Sequence, residues 1–365
     1  MYSMKNGILY MNENPVFGVG LSYYPSYHER KVPVPENGDR VKEMKKDLRA
    51  MKDAGFNLVR MAAIGSVGIE NNDVCIHTEF IDSILDEADK IGIATMVRLQ
   101  GYSMNLSGYK DFYMVDSDGK QMNPEVWYDF IQNSLHHSGI CQDNDLGTAA
   151  LAEHYSKYKN LVSYQTYNEP HYPSGTTYDY HMAAIREYRK WLVAIGAIRE
   201  DEAENYMPPT SRPQKGEDAQ AWIFWRMFSI KSLSDFLNHT ADVAKKVHPR
   251  TESLTCLTTC QTLNWNTERC VNYFDNAESM DVVGVTHYIN TYGAPYFHAC
   301  LVLDSAESAA AIYGKHCWIV EYDARTTITL RKFYEETYMA VGAGVKNYVL
   351  SMARGLCFPG QPRGE

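Results

Sequence analysis

The stretch LVSYQTYNEP, residues 161–170, opens as an apolar, half-alternating run and closes on Asn168-Glu169-Pro170. A short apolar run bounded by a chain breaker reads as a buried strand. Pro170 cannot donate to a strand ladder, so the strand stops there and Glu169 is held at its C-terminal end. A second stretch answers it. In KHCWIVEYDAR, residues 315–325, the apolar run Cys317 to Val320 delivers Glu321 to the end of another strand.

Working outward from these two strands, the chain alternates. Upstream, residues 148–159 read as a helix. Residues 93–99 (IATMVRL) form a strand preceded by a helix over 77–91, with Phe80, Ile81, Ile84, Leu85 and Ala88 on one face and Gly92 as its stop. Residues 56–64 (FNLVRMAAI) form another strand. Before it lies a helix over 40–54, whose Val41, Met44, Leu48 and Met51 share a face. Residues 16–24 are the first core strand, closed by Pro25, with Tyr23 and Tyr24 at its C-terminal end. The segment ILYMNENPVF, residues 8–17, reads as a hairpin that closes the bottom of the core.

Downstream, helices are expected over 178–195 and 218–247, joined by MPPTSRPQKG. Trp222, Trp225 and Phe228 in the second of these read as packing. A strand over 252–260 is followed by QTLNW, which ends in Trp265. A strand over 281–288 ends in His287-Tyr288. A helical pass over 305–313 leads to the strand of Glu321. A helix over 329–343 and a strand over 346–352 complete the pattern.

Strands alternating with helices imply a parallel sheet with helices outside. Eight such strands predict an α/β fold, a (β/α)8 TIM barrel, with residues 1–365 as one catalytic domain. The closing GLCFPGQPRGE is too short for an eighth helix, so either the molecule continues or another segment or subunit covers that groove. Residues 100–147 make a long excursion after the third strand, with a turn at Asp116 to Gly119. Its aromatic residues Tyr102, Tyr109, Phe112, Tyr113, Trp127 and Tyr128 are expected to form one wall of a substrate pocket. The functional rim of such a barrel lies at the C-terminal strand ends. That rule gathers Arg60, Asn168, Glu169, His287, Tyr288 and Glu321, with Tyr24 and Trp265 beside them.

Composition narrows the partners. The formal net charge of −10 argues against a surface that tracks phosphates, so no nucleic acid is expected. No apolar run is long enough for a membrane span, and no signal peptide is visible, so a cytoplasmic location is expected. The 8 cysteines show no metal-binding spacing and suit reduced thiols. Adjacent His136 and His137 point apart without a third ligand. The 27 tyrosines offer flat apolar faces with a hydroxyl, suited to sugar or peptide surfaces or to the core.

Two carboxylic acids facing one pocket can cleave a glycosidic bond when their environments separate their protonation states. An arginine in an apolar strand needs a partner. Arg60 beside Glu321 would hold it ionised as the nucleophile, and Tyr288 could donate a hydrogen bond to it. Glu169 would then be the acid/base. Asn168 is placed to bind the sugar 2-hydroxyl. No metal and no organic cofactor are required.

These residues resemble the glycoside hydrolase clan that sets its acid/base after strand four and its nucleophile after strand seven. Within that clan the chain is most similar to the family 42 β-galactosidases. The segments that carry the likeness are GVGLSYYP at 18–25, AGFNLVRM at 54–61, FYMVDSDGKQM at 112–122, the helix into YQTYNEP at 155–170, AWIFWRMF at 221–228, DVVGVTHY at 281–288 and HCWIVEYDAR at 316–325. The resemblance implies Glu169 as acid/base, Glu321 as nucleophile, and Arg60 and Asn168 as contacts in the catalytic subsite. It also implies a homotrimer with further C-terminal domains. The chain departs from the family in its NEP tripeptide, in lacking the clustered zinc-binding cysteines of some members, and in ending where C-terminal domains would begin.

The expectation is therefore a retaining exo-β-glycosidase of β-galactosidase type, acting on an oligosaccharide or glycoside. A β-mannosidase, a β-glucosidase or an endo-acting glycanase on the same barrel is the alternative. A catalytically inactive carbohydrate-binding barrel is the reading from another class.

Overall fold

The strands that carry the two glutamates are members of one closed barrel of eight parallel strands. The computed structural model describes residues 1–23, 37–70, 73–99, 105–122, 131–172, 179–213, 216, 219–257, 269–288, 296–323 and 329–351. The chain opens with a meander of β1 (Tyr2–Lys5), β2 (Ile8–Met11) and β3 (Asn14–Val16). Barrel strands β4 (Gly18–Tyr23) and β5 (Leu58–Ile64) flank helix α1 (Asn37–Asp53). A small antiparallel hairpin, β6 (Ser66–Glu70) and β7 (Asp73–His77), precedes helix α2 (Glu79–Ile91) and strand β8 (Ala94–Arg98). Helix α3 (Ser138–Tyr155) leads into β9 (Leu161–Asn168).

Helices α4 (Met182–Ala194), α5 (Glu200–Ala203) and α6 (Ala219–Val247) follow, then β10 (Glu252–Leu257). Helix α7 (Tyr273–Ala277) and β11 (Val282–His287) precede helix α8 (Tyr296–Ile312) and β12 (His316–Asp323). Helix α9 (Leu330–Gly342) and β13 (Asn347–Ser351) close the barrel against β4.

Side chains of period two sort into two cores. Leu58, Ala94, Met96, Val162, Leu254, Cys256, Val282, Trp318, Val320 and Val349 form one buried cluster, the barrel interior. Leu21, Val59, Val97, Tyr164, Val283, Val285, Ile319 and Tyr322 belong to another, between strands and helices. The meander plugs the lower end, because Tyr2, Met4 and Leu9 join the interior cluster. Its Asn6-Gly7 turn is anchored by polar groups from the barrel. Trp318 Nε1 and Asn347 Nδ2 donate to the Gly7 carbonyl at 2.7 and 2.9 Å. The Glu252 carboxylate accepts from the amides of both Asn6 and Gly7. Gly7 has φ +80°, a left-handed conformation in which its missing Cβ avoids crowding His316.

Several boundaries differ from the sequence expectation. Helix α3 starts at Ser138 rather than at residue 148. Its first turns carry Asp143 and Asn144, buried polar side chains that find partners outside the helix. Asp143 accepts from Ser107 N and Oγ at 2.9 and 2.7 Å, and Asn144 Nδ2 donates to Thr240 Oγ1 at 3.1 Å. Polar residues on the inward face hide a helical period. Helix α8 begins at Tyr296 rather than at residue 305, and the hairpin β6–β7 falls where no element was expected. Trp225 and Phe228 pack with Tyr188 and Leu192 in a separate buried cluster, as expected for packing residues. Cys260 and residues 352–365 lie outside the described residues.

Candidate active site

Parity along β5 aims Arg60 into the barrel. Leu58 belongs to the interior cluster, Val59 to the outer one, and Arg60 turns inward again. Its guanidinium is almost wholly buried and fully engaged. Nε donates to Gln165 Oε1 at 2.7 Å, and Nη1 to Ser22 Oγ at 2.9 Å. Nη2 donates to Asn168 Oδ1 at 2.6 Å and lies 2.8 Å from Glu321 Oε1. A buried cation is tolerated when each face of the fork finds an oxygen.

Glu321 should not face Arg60 on simple alternation. Trp318 points in and Ile319 out, so Glu321 would follow Ile319 toward the helices. A β-bulge reverses this. Against β11, one step from Val285 to Thr286 matches two steps from Ile319 to Glu321, so β12 holds an extra residue at Val320. Against β13 the same slip recurs between Ile319 and Tyr322. Val320 and Glu321 therefore both turn inward. Gly284 makes room for this, since a Cβ there would lie 2.7 Å from Val320 Cγ2.

Strand β9 uses the same device. Two steps on β10, Leu254 to Cys256, match three on β9, Gln165 to Asn168. Tyr167 packs outward while Gln165 and Asn168 both reach Arg60. Gln165 Nε2 braces the bulge by donating to Tyr167 O at 3.0 Å and Asn168 Oδ1 at 3.1 Å. Glu169 follows with φ +44°, a left-handed conformation costly for a non-glycine residue, and its amide donates to Cys256 O at 2.7 Å. Strain of this kind persists where the surroundings impose it, commonly at functional sites.

Tyr288 sits immediately after β11. Its hydroxyl lies 2.7 Å from Glu321 Oε2 and 2.8 Å from Ser351 Oγ. Burial, reinforced by the charge of Glu321, pushes the phenol pKa far up, so Tyr288 keeps its proton and acts as a donor. The Cys256 thiol, buried on the interior face of β10, is likewise pushed up, first by burial and then by Glu321. It stays uncharged. Glu321, Arg60, Glu169 and Arg98 all act on it electrostatically, which places these charged groups around one point.

His287 is a correction. Val285 and His287 share the outward face of β11, and the His287 ring stacks on Tyr322 at 5.6 Å. Tyr322 in turn reaches Glu336 of α9 at 3.2 Å. His287 thus belongs to the layer between strands and helices, not to the rim beside Glu321. Burial lowers its pKa to about 3, so the ring is neutral. Tyr23, at the end of β4, also faces outward and donates to Asp47 of α1 at 3.0 Å. Tyr24 and Trp265 lie outside the described residues, as do Tyr102, Trp127 and Tyr128 of the excursion. Of the other excursion aromatics, Tyr109 packs on His137 and Phe112 on Tyr113, and the turn at Asp116 to Gly119 forms as expected. His137 caps α3 through Nδ1, and His136 meets Ser232 Oγ at 2.8 Å. Among the described residues no cluster has the makings of a metal site.

Sequence reading overlooked Ser22, Gln165, Cys256, Ser351 and Arg98. Arg98 shares the inward parity of Ala94 and Met96 and stands in register with Gln165. Polar residues at inward positions of apolar strands were the available signal for Gln165 and Arg98. Nothing local marks Ser351.

Residues 34–196 match the family model of glycoside hydrolase family 42, described as Beta-galactosidase. Solved structures similar to the chain include the β-galactosidase of the Antarctic haloarchaeon Halorubrum lacusprofundi, at TM-score 0.70 and 15% identity, covering 91% of this chain and 52% of that one. The β-galactosidase of Bacillus circulans sp. alkalophilus matches at TM-score 0.68 and 16% identity, over 92% of this chain and 50% of that one. The catalytic domain of a β-amylase from Paenibacillus polymyxa matches at TM-score 0.67 and 13% identity, over 92% of both chains. The chain thus spans about half the length of the β-galactosidases it matches. It resembles the barrel portion of the clan A glycoside hydrolases, family 42 among them. A β-galactosidase and a β-amylase sharing this barrel at such low identity means that fold alone does not select the reaction.

Proposed function

We propose that this chain is the catalytic barrel of a retaining exo-β-glycosidase that removes terminal β-galactosyl groups. The observation that carries the reading is the double engagement of Arg60 Nη2, at 2.6 Å from Asn168 Oδ1 and 2.8 Å from Glu321 Oε1. One buried cation ties together the ends of the two strands that present Glu169 and Glu321. The family match over residues 34–196 supports the same reading.

In this mechanism Glu321 is the nucleophile. Arg60 and Tyr288 engage one oxygen each and hold the carboxylate in place. Glu321 attacks the anomeric carbon, the glycosidic C–O bond breaks, and Glu169 gives its proton to the departing oxygen. A glycosyl ester on Glu321 results. Glu169 then takes a proton from water, which attacks the same carbon and releases the sugar with its configuration kept. Retention calls for carboxyl groups about 5–5.5 Å apart. Asn168 Oδ1 is committed to Arg60 and Gln165, so the amide turns Nδ2 toward a substrate hydroxyl, the 2-hydroxyl in this reading.

A panel of nitrophenyl β-glycosides (galactose, glucose, mannose, fucose, with α-L-arabinopyranose) tests the proposal, with the first-formed anomer read by NMR. Galactoside turnover with a β-configured product is expected, and arabinopyranoside should be the weaker substrate. Turnover of mannoside or glucoside alone would replace the sugar. An α-configured first product from the galactoside would remove the covalent step, and silence across the panel would overturn exo action.

A further inference from the structure

Tyr288 is held between two oxygens, Glu321 Oε2 at 2.7 Å and Ser351 Oγ at 2.8 Å. A phenol has one proton and a carboxylate only accepts, so the proton of Tyr288 goes to Glu321. The contact with Ser351 then has one polarity: the serine hydroxyl donates and the phenol oxygen accepts. Ser351 is buried at the last position of β13, with Asp323 opposite it in register across β12. Its neighbours on β13 are ordinary core residues, Val349 inward and Leu350 outward. A buried serine at a strand end has little reason to be polar unless its hydroxyl is used.

We infer that Ser351 is a positioning residue for the nucleophile: by donating to Tyr288 it commits the single phenol proton to Glu321. This rests on the reading of Glu321 as nucleophile. The groups around Glu321 come from separate strands: Arg60 from β5 and Tyr288 after β11 touch it, and Cys256 on β10 feels its charge. Ser351 brings β13 into the same network as a neutral donor that acts through Tyr288. A hydrogen bond that donates to a donor strengthens the next one in line. Loss of Ser351 frees the phenol to rotate and weakens its bond to Glu321 Oε2.

The test is a double-mutant cycle with Ser351→Ala and Tyr288→Phe, read on kcat/KM across pH. Ser351→Ala is expected to lower kcat/KM about tenfold and to move its acid limb to higher pH. In the Tyr288→Phe background the same change should cost less than about twofold, because the route to Glu321 is already gone. Ser351→Thr keeps the hydroxyl and should restore most of the rate. Equal losses in both backgrounds, or an unmoved acid limb, would overturn the inference. A readout independent of turnover is titration of the 13C-labelled Glu321 carboxyl by NMR, assigned with Glu321→Gln. Its midpoint should rise in Ser351→Ala, and an unchanged midpoint overturns the role of Ser351. If the chain hydrolyses no glycoside, the glycosidase reading fails, and this titration still decides the hydrogen-bond claim.

Discussion

Arg60 Nη2 stands 2.8 Å from Glu321 Oε1, with 1% of the arginine side chain and 11% of the glutamate side chain exposed. Each residue comes from a strand remote in sequence, and a third, Asn168, accepts from the same nitrogen. Such a pair offsets its desolvation only because the guanidinium is also satisfied by Gln165 and Ser22. The arrangement fixes the position of a buried carboxylate inside the barrel.

Replacing Arg60 by Met should therefore leave a buried carboxylate without its cation. The expected loss is about 3–5 kcal/mol of stability, with an accompanying fall in kcat/KM. Chemical denaturation compares the variant with the parent. An unchanged midpoint would mean that the pair contributes nothing to the folded state.

The two glutamates should fail differently. Glu169→Gln is expected to cost about 10²–10⁴-fold on an unactivated galactoside and far less on a dinitrophenyl galactoside, whose leaving group needs no proton. Glu321→Gln should lose both activities. Azide added to Glu321→Gly should return turnover with an α-glycosyl azide as product. Equal sensitivity of both variants to the leaving group would contradict the assigned roles.

Gly284 tests the bulge that aims Glu321. A Cβ there would lie 2.6 Å from Thr255 O and 2.7 Å from Val320 Cγ2. Gly284→Ala should lower stability by about 1–3 kcal/mol through overpacking. It should also reduce kcat, because Val320 is the extra residue that turns Glu321 inward. A variant destabilised in thermal unfolding yet unchanged in kcat would show that the aim of Glu321 does not depend on the space at Gly284.

Glu252 predicts a pH effect far from the rim. Burial raises its pKa to about 7 against an ordinary value of 4.5, although the amides of Asn6 and Gly7 oppose the shift. The folded state holds this proton more tightly than the unfolded chain. Its contribution to stability is full below the unfolded pKa and is lost as pH rises through the folded one. The melting temperature of the parent should carry a component that falls between about pH 4.5 and 7. Glu252→Gln should remove that component, and identical slopes in parent and variant would discard the assignment.

Much of this was legible locally. The apolar runs ending at Asn168 and Glu321, and the helical spacing of Met44, Leu48 and Met51, mark strands and a helix wherever they are read. Arg60 was conspicuous as a charge inside FNLVRMAAI. His287 was misread because its place beside Tyr288 suggested a shared role, whereas alternation sends neighbours to opposite faces. The start of α3 was missed because Asp143 and Asn144 find their partners outside the helix. Ser22 and Ser351 carried no signal, since a small polar residue at a strand end gains meaning only from what lies opposite.

The sequence by itself determined the order of strands and helices, the parallel α/β class that this order implies, and the strand ends on which Glu169 and Glu321 stand. These follow from periodicity and from breakers such as Pro170, which act on the chain locally. Only the tertiary structure decided which way those strand ends face. A bulge is a mismatch of register between neighbours, and neither β12 nor β11 contains it alone. The contacts of Arg60 with Ser22, Gln165, Asn168 and Glu321, and the line from Ser351 through Tyr288 to Glu321, have the same origin: barrel closure brings strand ends together across long sequence separations.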